Sequence, residues 1–442
     1  MHVVEQFAAF AAGLRREPLA PRVLHHAKRA VIDWHAAAYA GALSPPATLL
    51  EKSLAEELDR GSAALVLGRK ATPRAAALIN GAAAHAAEFD DIFRDGIYHP
   101  GAPTISAVHA LAQSLSTDGM SFLKAVVAGY EISTRIGAAM GRAHYRFWHN
   151  TGTIGCFGAA AACAELLALD EERFAHALAT VATFSAGLQQ AFRMPSMSKP
   201  LHAGRAAEAG LLAALAARDG VTGSLDILEG EAGYGRAMGG GPDWARAVAT
   251  LGSDFHITRM TFKNHGCCGH TFAAIDGALA LKAQMKLDAA DIERVDVATY
   301  KPALEVAGCE DPKTAAEGRF SLKYVVATGL AHGNVRIAAF EEPRLRDPAT
   351  RELMRRISVS VDPELDAAFP GKRAARVAIR ARDGRRGEHL QPTRKGDPDM
   401  PLSDAEVDDK FLELAAPVIG AAAARERLAR LWRLEREARA VA

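Results

Sequence analysis

The chain has 442 residues, and its 53 lysines and arginines against 52 aspartates and glutamates leave a formal charge of +1. This balance excludes a basic field for nucleic acid and an acidic tail, so any selection of a charged ligand has to be local. The length exceeds what one hydrophobic core usually serves, which predicts two domains.

The N-terminus and the apolar segments predict a cytoplasmic protein. The stretch MHVVEQFAAFAAGLRREPL lacks the basic start, apolar run and cleavage site of a signal peptide. Apolar windows of about 18 residues are all broken by charged or polar residues, so we expect no membrane span. Five cysteines without regular spacing fit a reducing compartment rather than a disulfide framework. We therefore expect binding to neither membrane nor nucleic acid.

Residues 1–255 are rich in alanine and predict helices with short breaks. Several of these segments follow Asp, Ser or Pro and precede Gly, the usual signals for where a helix begins and ends. Alanine and glycine on several faces indicate helices packed closely against each other or against a twin subunit. The predicted helices are PRVLHHAKRAVIDWHAAAYAG, PRAAALINGAAAHAAEF, TISAVHALAQSLS, SFLKAVVAGYEISTRIGAAMG, GTIGCFGAAAACAELLAL, EERFAHALATVATFSAGLQQAF and AGRAAEAGLLAALAARDG.

The pattern changes after Lys263. Alternating, β-branched segments predict strands, and Asp383–Gly384 is a strong hairpin signal. Helical segments lie between these strands, so we expect a compact α+β unit, with limits near 261–398. The tail, 399–442, returns to helix and is expected to rejoin the N-terminal helical body. The predicted strand segments are IERVDVATY, RISVSV and ARVAIRARDGRRGEHLQPT, and the helical ones are FAAIDGALALKAQ, LKYVVATGLAHG and SDAEVDDKFLELAAPV.

The first candidate site is the loop EFDDIFRDGIYHPGAPT, which closes a predicted helix. It crowds Glu88, Asp91, His99 and two further acids into a stretch with glycine and proline. Loops with few apolar residues often carry functional sites. The alternative is a solvated turn whose aspartates cap helices.

Two later helix starts carry cationic or imidazole groups. His149 precedes a predicted helix, within reach of an anion held by its free N–H groups, although a lone histidine also fits a structural donor. Lys199, His202 and Arg205 lie three residues apart, which places them on one face if the helix includes them. Cations at a helix N-terminus oppose its dipole, which favours an anion bound among them.

The run KNHGCCGHT, residues 263–271, is dense in groups that titrate, bind metal or donate hydrogen bonds. Cys267 and Cys268 are adjacent, and neighbouring ligands seldom both reach one tetrahedral ion, so we expect no metal here. The alternative is a glycine-loosened turn that opens a helix. Further along, Arg319 and Tyr324 lie where another helix is predicted to begin.

Taken together and in this order, these segments resemble the MmgE/PrpD family over nearly the whole chain. The resemblance is carried by EFDDIFRDGIYHPGAPT, GYEISTRIG with HNTGTIGCFGAAAACAELLALD, MSKPLHAGRAAEAGLLAALAARDGVTGSLDILEGEAGYG, KNHGCCGHTFAAIDGALAL and FSLKYVVATGLAHG. It implies a mainly α fold, with a large all-helical domain (1–260 plus 399–442) and an inserted smaller α+β lid (261–398). It further implies a homodimer and a site between the two domains, without metal or organic cofactor.

The resemblance also implies roles for individual residues. The catalytic groups it implies are His99, His149, Lys199, Lys263 and Tyr324. The substrate-binding groups that we expect are Glu88, Asp91, Arg205, Cys268 and Arg319. The chain departs from the family pattern in carrying Glu88 for a common Asp, Ile92 for a Thr-like residue, and Cys268 where the decarboxylases use a His.

The family chemistry removes a proton or a carboxylate from a carbon next to a carboxylate group. The resemblance favours dehydration of a 2-methylcitrate-like hydroxy tricarboxylate. The alternatives are an epimerase of an imino or amino dicarboxylate such as iminodisuccinate, a decarboxylase, and a non-catalytic helical scaffold. In each enzymatic case the partner is a small di- or tricarboxylate.

Overall fold

The computed structural model describes residues 1–194, 196–369 and 371–441. The described chain divides into two compact units. Unit 1 contains Met1–Thr261 and Ser403–Ala442, and unit 2 contains Phe262–Leu402. No helix in the described part of the chain combines the length and apolar character that a bilayer crossing needs.

The first part of unit 1 is a stack of helices. Caps mark their starts: the side chain of Asp118 accepts from the Ser121 N–H at 2.9 Å, and that of Asp170 from the Arg173 N–H at 2.8 Å. The helices are α1 Val3–Arg16, α2 Pro21–Ala42, α3 Ala47–Ser53, α4 Pro73–Ala86, α5 Gly101–Leu115, α6 Gly119–Tyr145, α7 Asn150–Thr153, α8 Gly155–Leu166, α9 Glu171–Ala182, α10 Ser198–Arg218, α11 Tyr234–Met238 and α12 Trp244–Val248.

The centre of unit 1 is formed by α4, α5, α8 and α10, which pack against one another. Small residues permit this closeness. A Cβ added at Gly204 would lie 2.2 Å from the Leu78 carbonyl oxygen, and one at Gly81 would lie 2.8 Å from the Cα of Gly204. The alanine- and glycine-rich pattern therefore produces the close helix packing expected from the sequence.

A short hairpin corrects the expectation of an all-helical N-terminal part. Strands β1 Leu58–Ala64 and β2 Lys70–Ala71 pair antiparallel. The strands are short, and β1 carries charged residues and a glycine and faces solvent along most of its length. A hydrophobic alternation, which is the signal for a strand, is therefore missing from this segment.

Unit 2 combines a four-stranded sheet with helices. The sheet order is β4-β3-β5-β6, with β3 parallel to β4 and antiparallel to β5. The predicted Asp383–Gly384 hairpin joins β5 to β6. The elements are α13 Phe272–Met285, β3 Ile292–Thr299, α14 Lys301–Val306, α15 Ala315–Arg319, α16 Leu322–His332, α17 Glu342–Leu345, α18 Pro348–Arg355, β4 Ile357–Val361, α19 Pro363–Ala368, β5 Ala375–Ala381 and β6 Arg386–Gln391.

The core of unit 2 lies between its sheet and its helices. Alternate residues of β5 are buried, and α13 packs against β5 and β6. Phe272, Val377 and Tyr324 are fully buried members of the hydrophobic cluster. Unit 2 therefore has a hydrophobic core of its own.

The C-terminal tail completes unit 1 with α20 Asp404–Ile419 and α21 Ala421–Trp432. A capping box begins α20, because Ser403 and Glu406 each bond to the other's backbone N–H. Both α20 and α21 pack on α2. The predicted mainly helical architecture is confirmed, whereas the lid role of unit 2 stays a prediction.

Candidate active site in unit 1

The loop between α4 and α5, residues 87–100, is called here the site loop. Its backbone is held by pairing: the N–H groups of Ile92 and Thr261 each donate to the other's carbonyl at 2.9 Å. Glu88 and Ile97 have positive φ angles of 58° and 52°. Left-handed backbone costs a residue with a Cβ about 1–2 kcal/mol, and such strain clusters at functional sites.

Asp90 lies between two imidazoles. Its Oδ2 is 2.6 Å from His85 Nδ1 and 3.2 Å from His99 Nδ1. The side chains of His85 and Asp90 are 0% and 2% exposed, whereas that of His99 is 15% exposed. His99 is therefore the member of this group that a ligand can reach.

The protonation states in this group differ. Burial lowers the pKa of His85 to about 4, so its ring is neutral at pH 7 and donates through Nδ1. Burial alone would raise the pKa of the Asp90 carboxyl. Its contacts with His85 and His99 outweigh that effect and hold the pKa well below its usual value. The group therefore contains a buried carboxylate.

His149 lies at the N-cap of α7, and its Nδ1 is 3.0 Å from the Nδ1 of His202 on α10. Its ring also stacks on His85, with centroids 5.5 Å apart. Burial, followed by the neighbouring His85 and Lys199, lowers the pKa of His149 well below its usual value. Burial and Lys199 also lower the pKa of His202. At neutral pH both rings are neutral, so one Nδ1 donates and the other accepts.

Helix α10 brings a cation to the same region. Lys199 forms an ion pair with Glu88 of the site loop, and its side chain is 22% exposed. Helix α10 includes Lys199, His202 and Arg205, which is the condition for their spacing to place them on one face. The Arg205 guanidinium is paired with Glu208, one turn further along α10. The structure thus brings together Glu88, His99, His149 and Lys199, while Arg205 is engaged elsewhere.

Asp91 is directed into the protein. Its Oδ1 accepts from the Gly101 N–H at 2.9 Å and its Oδ2 from the Tyr130 hydroxyl at 2.7 Å. Burial, followed by the nearby Asp33, raises the pKa of Asp91 to about 8. These bonds fix the start of α5, two residues after His99. The expected contact of Asp91 with substrate stays a prediction.

Unit 2 holds the remaining expected residues. Lys263 is 2% exposed, and the backbone N–H of Cys268 donates to the Arg319 carbonyl at 2.9 Å. Tyr324 is fully buried, and its hydroxyl donates to the Ala339 carbonyl. Cys268 and Arg319 are therefore neighbours, and the functional roles of all four residues stay predictions.

The histidines and the first cysteine of residues 263–271 each have a separate partner. His265 Nε2 lies 2.9 Å from Asp276 Oδ1, and Cys267 Sγ lies 3.2 Å from Thr271 Oγ1. His270 Nδ1 lies 3.0 Å from the Tyr300 hydroxyl. Helix α13 begins directly after this run, as predicted. These contacts agree with the interpretation of the run as a turn that opens a helix.

Metal-ligand atoms come together at one place in the described part of the chain, where atoms of His85, Asp90 and His99 lie within 4.8 Å of one another. The 2.6 Å between His85 Nδ1 and Asp90 Oδ2 is a hydrogen-bond distance. Two ligands of a tetrahedral ion with bonds of about 2.0–2.1 Å lie about 3.3 Å apart. The arrangement therefore fits a hydrogen-bonded group better than a metal site.

Sequence reasoning did not assign roles to three members of this cluster. Asp90 belonged to the acid-rich loop and His202 to the spaced trio on α10, but His85 was not singled out. The available signal was its position in GAAAHAAEFDD, where it is the last polar residue of an alanine-rich helix and lies just before the acids. A histidine there meets the loop that follows.

Comparisons with known proteins cover both parts of the chain. Residues 5–247 match the MmgE/PrpD N-terminal domain and residues 265–435 the MmgE/PrpD C-terminal domain. The chain is 28% identical to the cis-aconitate decarboxylase-like protein oryM of Aspergillus oryzae, over 97% of this chain and 93% of that one. It is 25% identical to human cis-aconitate decarboxylase (94% and 88%) and 26% identical to cis-aconitate decarboxylase of Aspergillus terreus (86% and 83%).

Proposed function

Because the chain belongs to the MmgE/PrpD family, we propose that it is a lyase that moves a proton at a carbon next to a carboxylate of a small tricarboxylate. One observation carries this proposal: the site loop, α7 and α10 bring His99, His149 and Lys199 into one cluster. Two imidazoles and an amine are the groups that such a reaction needs.

The chemical demand explains those groups. Removing a proton next to a carboxylate creates a dianion, which is very unstable in water. Fixed cations and hydrogen-bond donors stabilise that charge, and this stabilisation usually contributes most to the rate enhancement. Lys199 suits this task, and an imidazole suits proton exchange near neutral pH. No cofactor is part of the proposal.

The first reaction to test is dehydration of a 2-methylcitrate-like hydroxy tricarboxylate. In it the C–H and C–O bonds break, a double bond forms and water leaves. One imidazole accepts the proton from carbon, and an acid protonates the departing hydroxyl. Glu88, Ile92 and Cys268, which differ from the family pattern, favour a substrate other than cis-aconitate.

Two other reactions have specific support. The names of the relatives favour decarboxylation of cis-aconitate, in which carbon dioxide leaves and the carbanion takes up a proton. Two imidazoles in one cluster also suit epimerisation of a dicarboxylate such as iminodisuccinate, with one base on each face of the carbon.

The deciding experiment is incubation with each acid in deuterium oxide, followed by NMR and ultraviolet absorbance. A dehydratase creates an unsaturated product, a decarboxylase releases carbon dioxide, and an epimerase places deuterium at the α-carbon without new alkene absorbance. Absence of all three changes across a panel of di- and tricarboxylates would overturn the proposal and favour the non-catalytic scaffold.

Substitutions test the assignment of the residues. We expect Lys199→Ala and His149→Ala to abolish turnover while circular dichroism shows an intact fold. Lys301→Ala is the matched control, since that lysine is 66% exposed in unit 2 and stands outside the proposed chemistry. Full activity of both site variants would remove these residues from the mechanism.

The expected homodimer and cytoplasmic location also belong to this proposal. Light scattering of the purified protein tests the first, with a mass near twice that of one chain as the expected result. A mass equal to one chain at working concentration would contradict it.

A further inference from the structure

His99 and His149, the two imidazoles of the cluster with proposed catalytic roles, have different partners at Nδ1. His99 has a buried carboxylate 3.2 Å from its Nδ1. His149 has another imidazole, His202, 3.0 Å from its Nδ1. A carboxylate stabilises a protonated ring, whereas a neutral imidazole does not do so to the same extent.

His85 completes the arrangement from the far side of Asp90. Its Nδ1 is 2.6 Å from the same Oδ2 that faces His99, and its side chain is 0% exposed. Among the described residues its Nε2 has no hydrogen-bond partner. A ring that is closed to ligands on every side cannot exchange a proton with substrate, so its contribution is to hold the carboxylate in place.

We propose that Asp90 is a positioning residue for the reaction centre, holding His99 with Nδ1–H toward the carboxylate so that Nε2 exchanges the proton with substrate. His85 orients Asp90 from the opposite side. This inference rests on the lyase function proposed above, and it assigns the role of base to His99 rather than to His149.

The proton follows a defined route. Nε2 of neutral His99 accepts the proton from the substrate carbon, and the C–H electron pair stays on the substrate as the enolate of the adjacent carboxylate. The ring becomes an imidazolium beside the Asp90 carboxylate. In a dehydration the imidazolium returns this proton to the departing hydroxyl, which leaves as water, and His99 is neutral again.

Several charged or titratable groups surround His99. Asp90 lies on the site loop, and the His85 ring on α4 is 4.7 Å from the His99 ring. His149, at the N-cap of α7, is close enough to interact electrostatically with His99. Lys199 of α10 acts electrostatically on both His85 and His149. Asp90 is the anion in contact with the His99 ring, so Asp90→Asn removes the negative charge beside that ring.

The test compares Asp90→Asn with Asp95→Asn. Asp95 is in the same loop but is 56% exposed, so its variant controls for loss of one loop carboxylate. Asp90→Asn keeps the shape of the side chain and removes its negative charge. We expect its kcat to fall by up to about 10⁴-fold, the loss that an Asp→Asn change behind the histidine of a Ser-His-Asp triad produces. Asp90→Glu, which restores the charge, should recover part of the rate.

A second readout does not depend on knowing the substrate. Heteronuclear NMR of protein with isotope-labelled histidine shows which ring nitrogen of each histidine carries the proton. In wild type the His99 proton should reside on Nδ1, facing Asp90. In Asp90→Asn this preference for Nδ1–H should weaken, because a carboxamide offers a donor as well as an acceptor. Asp95→Asn should leave the His99 tautomer unchanged.

The outcomes are distinguishable. A weakened Nδ1–H preference of His99 in Asp90→Asn, without turnover of any acid by the wild-type protein, would leave the contact between Asp90 and His99 standing and overturn the lyase function. Turnover and His99 tautomer both as in wild type in a folded Asp90→Asn protein would overturn the role of Asp90 alone. If Asp90→Asn does not fold, His85→Gln gives the same test, with a smaller loss of the Nδ1–H preference as the supporting result and no change as the contrary one.

Discussion

At the scale of single residues, Asp91 shows how burial changes the chemistry of a carboxyl group. Its two oxygens accept bonds from Gly101 and Tyr130, and burial raises its pKa to about 8. An exposed aspartate has a pKa of about 3.9. Between these values the folded chain binds more protons than the unfolded chain, so stability falls as the pH rises from about 4 through 8.

We therefore expect Asp91→Asn to flatten the pH dependence of unfolding. The new carboxamide would keep an acceptor for the Gly101 N–H and place its NH₂ group beside the Tyr130 hydroxyl oxygen, without a buried charge at high pH. The free energy of unfolding in urea, compared with wild type across mildly acidic to mildly alkaline pH, measures this effect. Asp91→Ala, which loses both partners, should cost about 1–3 kcal/mol for each buried group left unpaired. A carboxamide variant with the wild-type slope would contradict the assignment.

Residue types in separate segments predicted part of the cluster. His99, His149 and Lys199 stood out because each broke a local pattern in a loop or at a helix start. His85 did not, since a histidine in an alanine-rich helix satisfies the helical pattern. The role of His85 depends on its contact with Asp90 in the loop that follows. No local sequence rule gives the distance between these two side chains.

At the scale of elements, the contact between α4 and α10 depends on glycine. A Cβ at Gly204 would meet the Leu78 carbonyl oxygen at 2.2 Å, and backbone cannot move aside as a flexible side chain can. The two helices also carry His85 and Lys199. Their separation would therefore disturb the cluster as well as the core.

Gly204→Ala should lower the free energy of unfolding by about 1–3 kcal/mol or more, the usual cost of overpacking, and should lower turnover with it. Gly13→Ala is the matched control. A Cβ at that helical glycine meets nothing within 4 Å, so the variant should gain about 0.5–1 kcal/mol. Equal stability of the two variants in urea would contradict the packing argument.

Lys410 of α20 forms a buried ion pair with α2 and a hydrogen bond with the site loop. The Nζ atom of Lys410 lies 2.5 Å from Asp33 Oδ1 and 2.7 Å from the carbonyl oxygen of Phe89, which is in the site loop. The Lys410 and Asp33 side chains are 2% and 1% exposed. Loss of one partner leaves the other charge buried.

Lys410→Met should therefore cost about 3–5 kcal/mol in urea unfolding, the range for breaking a buried pair. Lys410→Met with Asp33→Leu should recover much of that loss, since no charge then stays buried. A double variant as unstable as the single one would indicate that the bond to Phe89, rather than the pair, matters most.

Local signals predicted elements well where they were strong. Asp383–Gly384 between alternating segments correctly predicted the β5–β6 hairpin. Helices α13 and α16 begin at the first apolar residues of their predicted segments, Phe272 and Leu322. The helix predicted from Glu171 to Phe192 was too long, because α9 ends at Ala182 and Gly187 has a φ of 132°. The apolar residues keep a helical spacing past Ala182, but the helical backbone conformation ends there.

At the scale of the whole molecule, unit 2 is one continuous segment with a core of its own. The N–H of Phe262 at its start donates to the carbonyl of Gly396 near its end, at 3.0 Å. We expect residues 262–402 produced alone to unfold cooperatively, because the sheet and its covering helices are complete within them.

Circular dichroism during thermal and urea unfolding of this fragment measures that expectation. Phe272→Ala in the fragment should cost about 3–5 kcal/mol if the same core has formed. A broad, non-cooperative transition, or no response to the substitution, would contradict independent folding.

Unit 1 is synthesised in two parts, because unit 2 lies between them in the sequence. Its first 261 residues leave the ribosome early, but α20 and Lys410 follow only after all of unit 2. Domains tend to fold as units as they emerge. A nascent chain that stops short of Lys410 therefore lacks the ion pair of that lysine with Asp33 and one of the hydrogen bonds that hold its site loop. We expect the active conformation to form only after α20 has been synthesised, and chains terminated before α20 to be prone to chaperone capture.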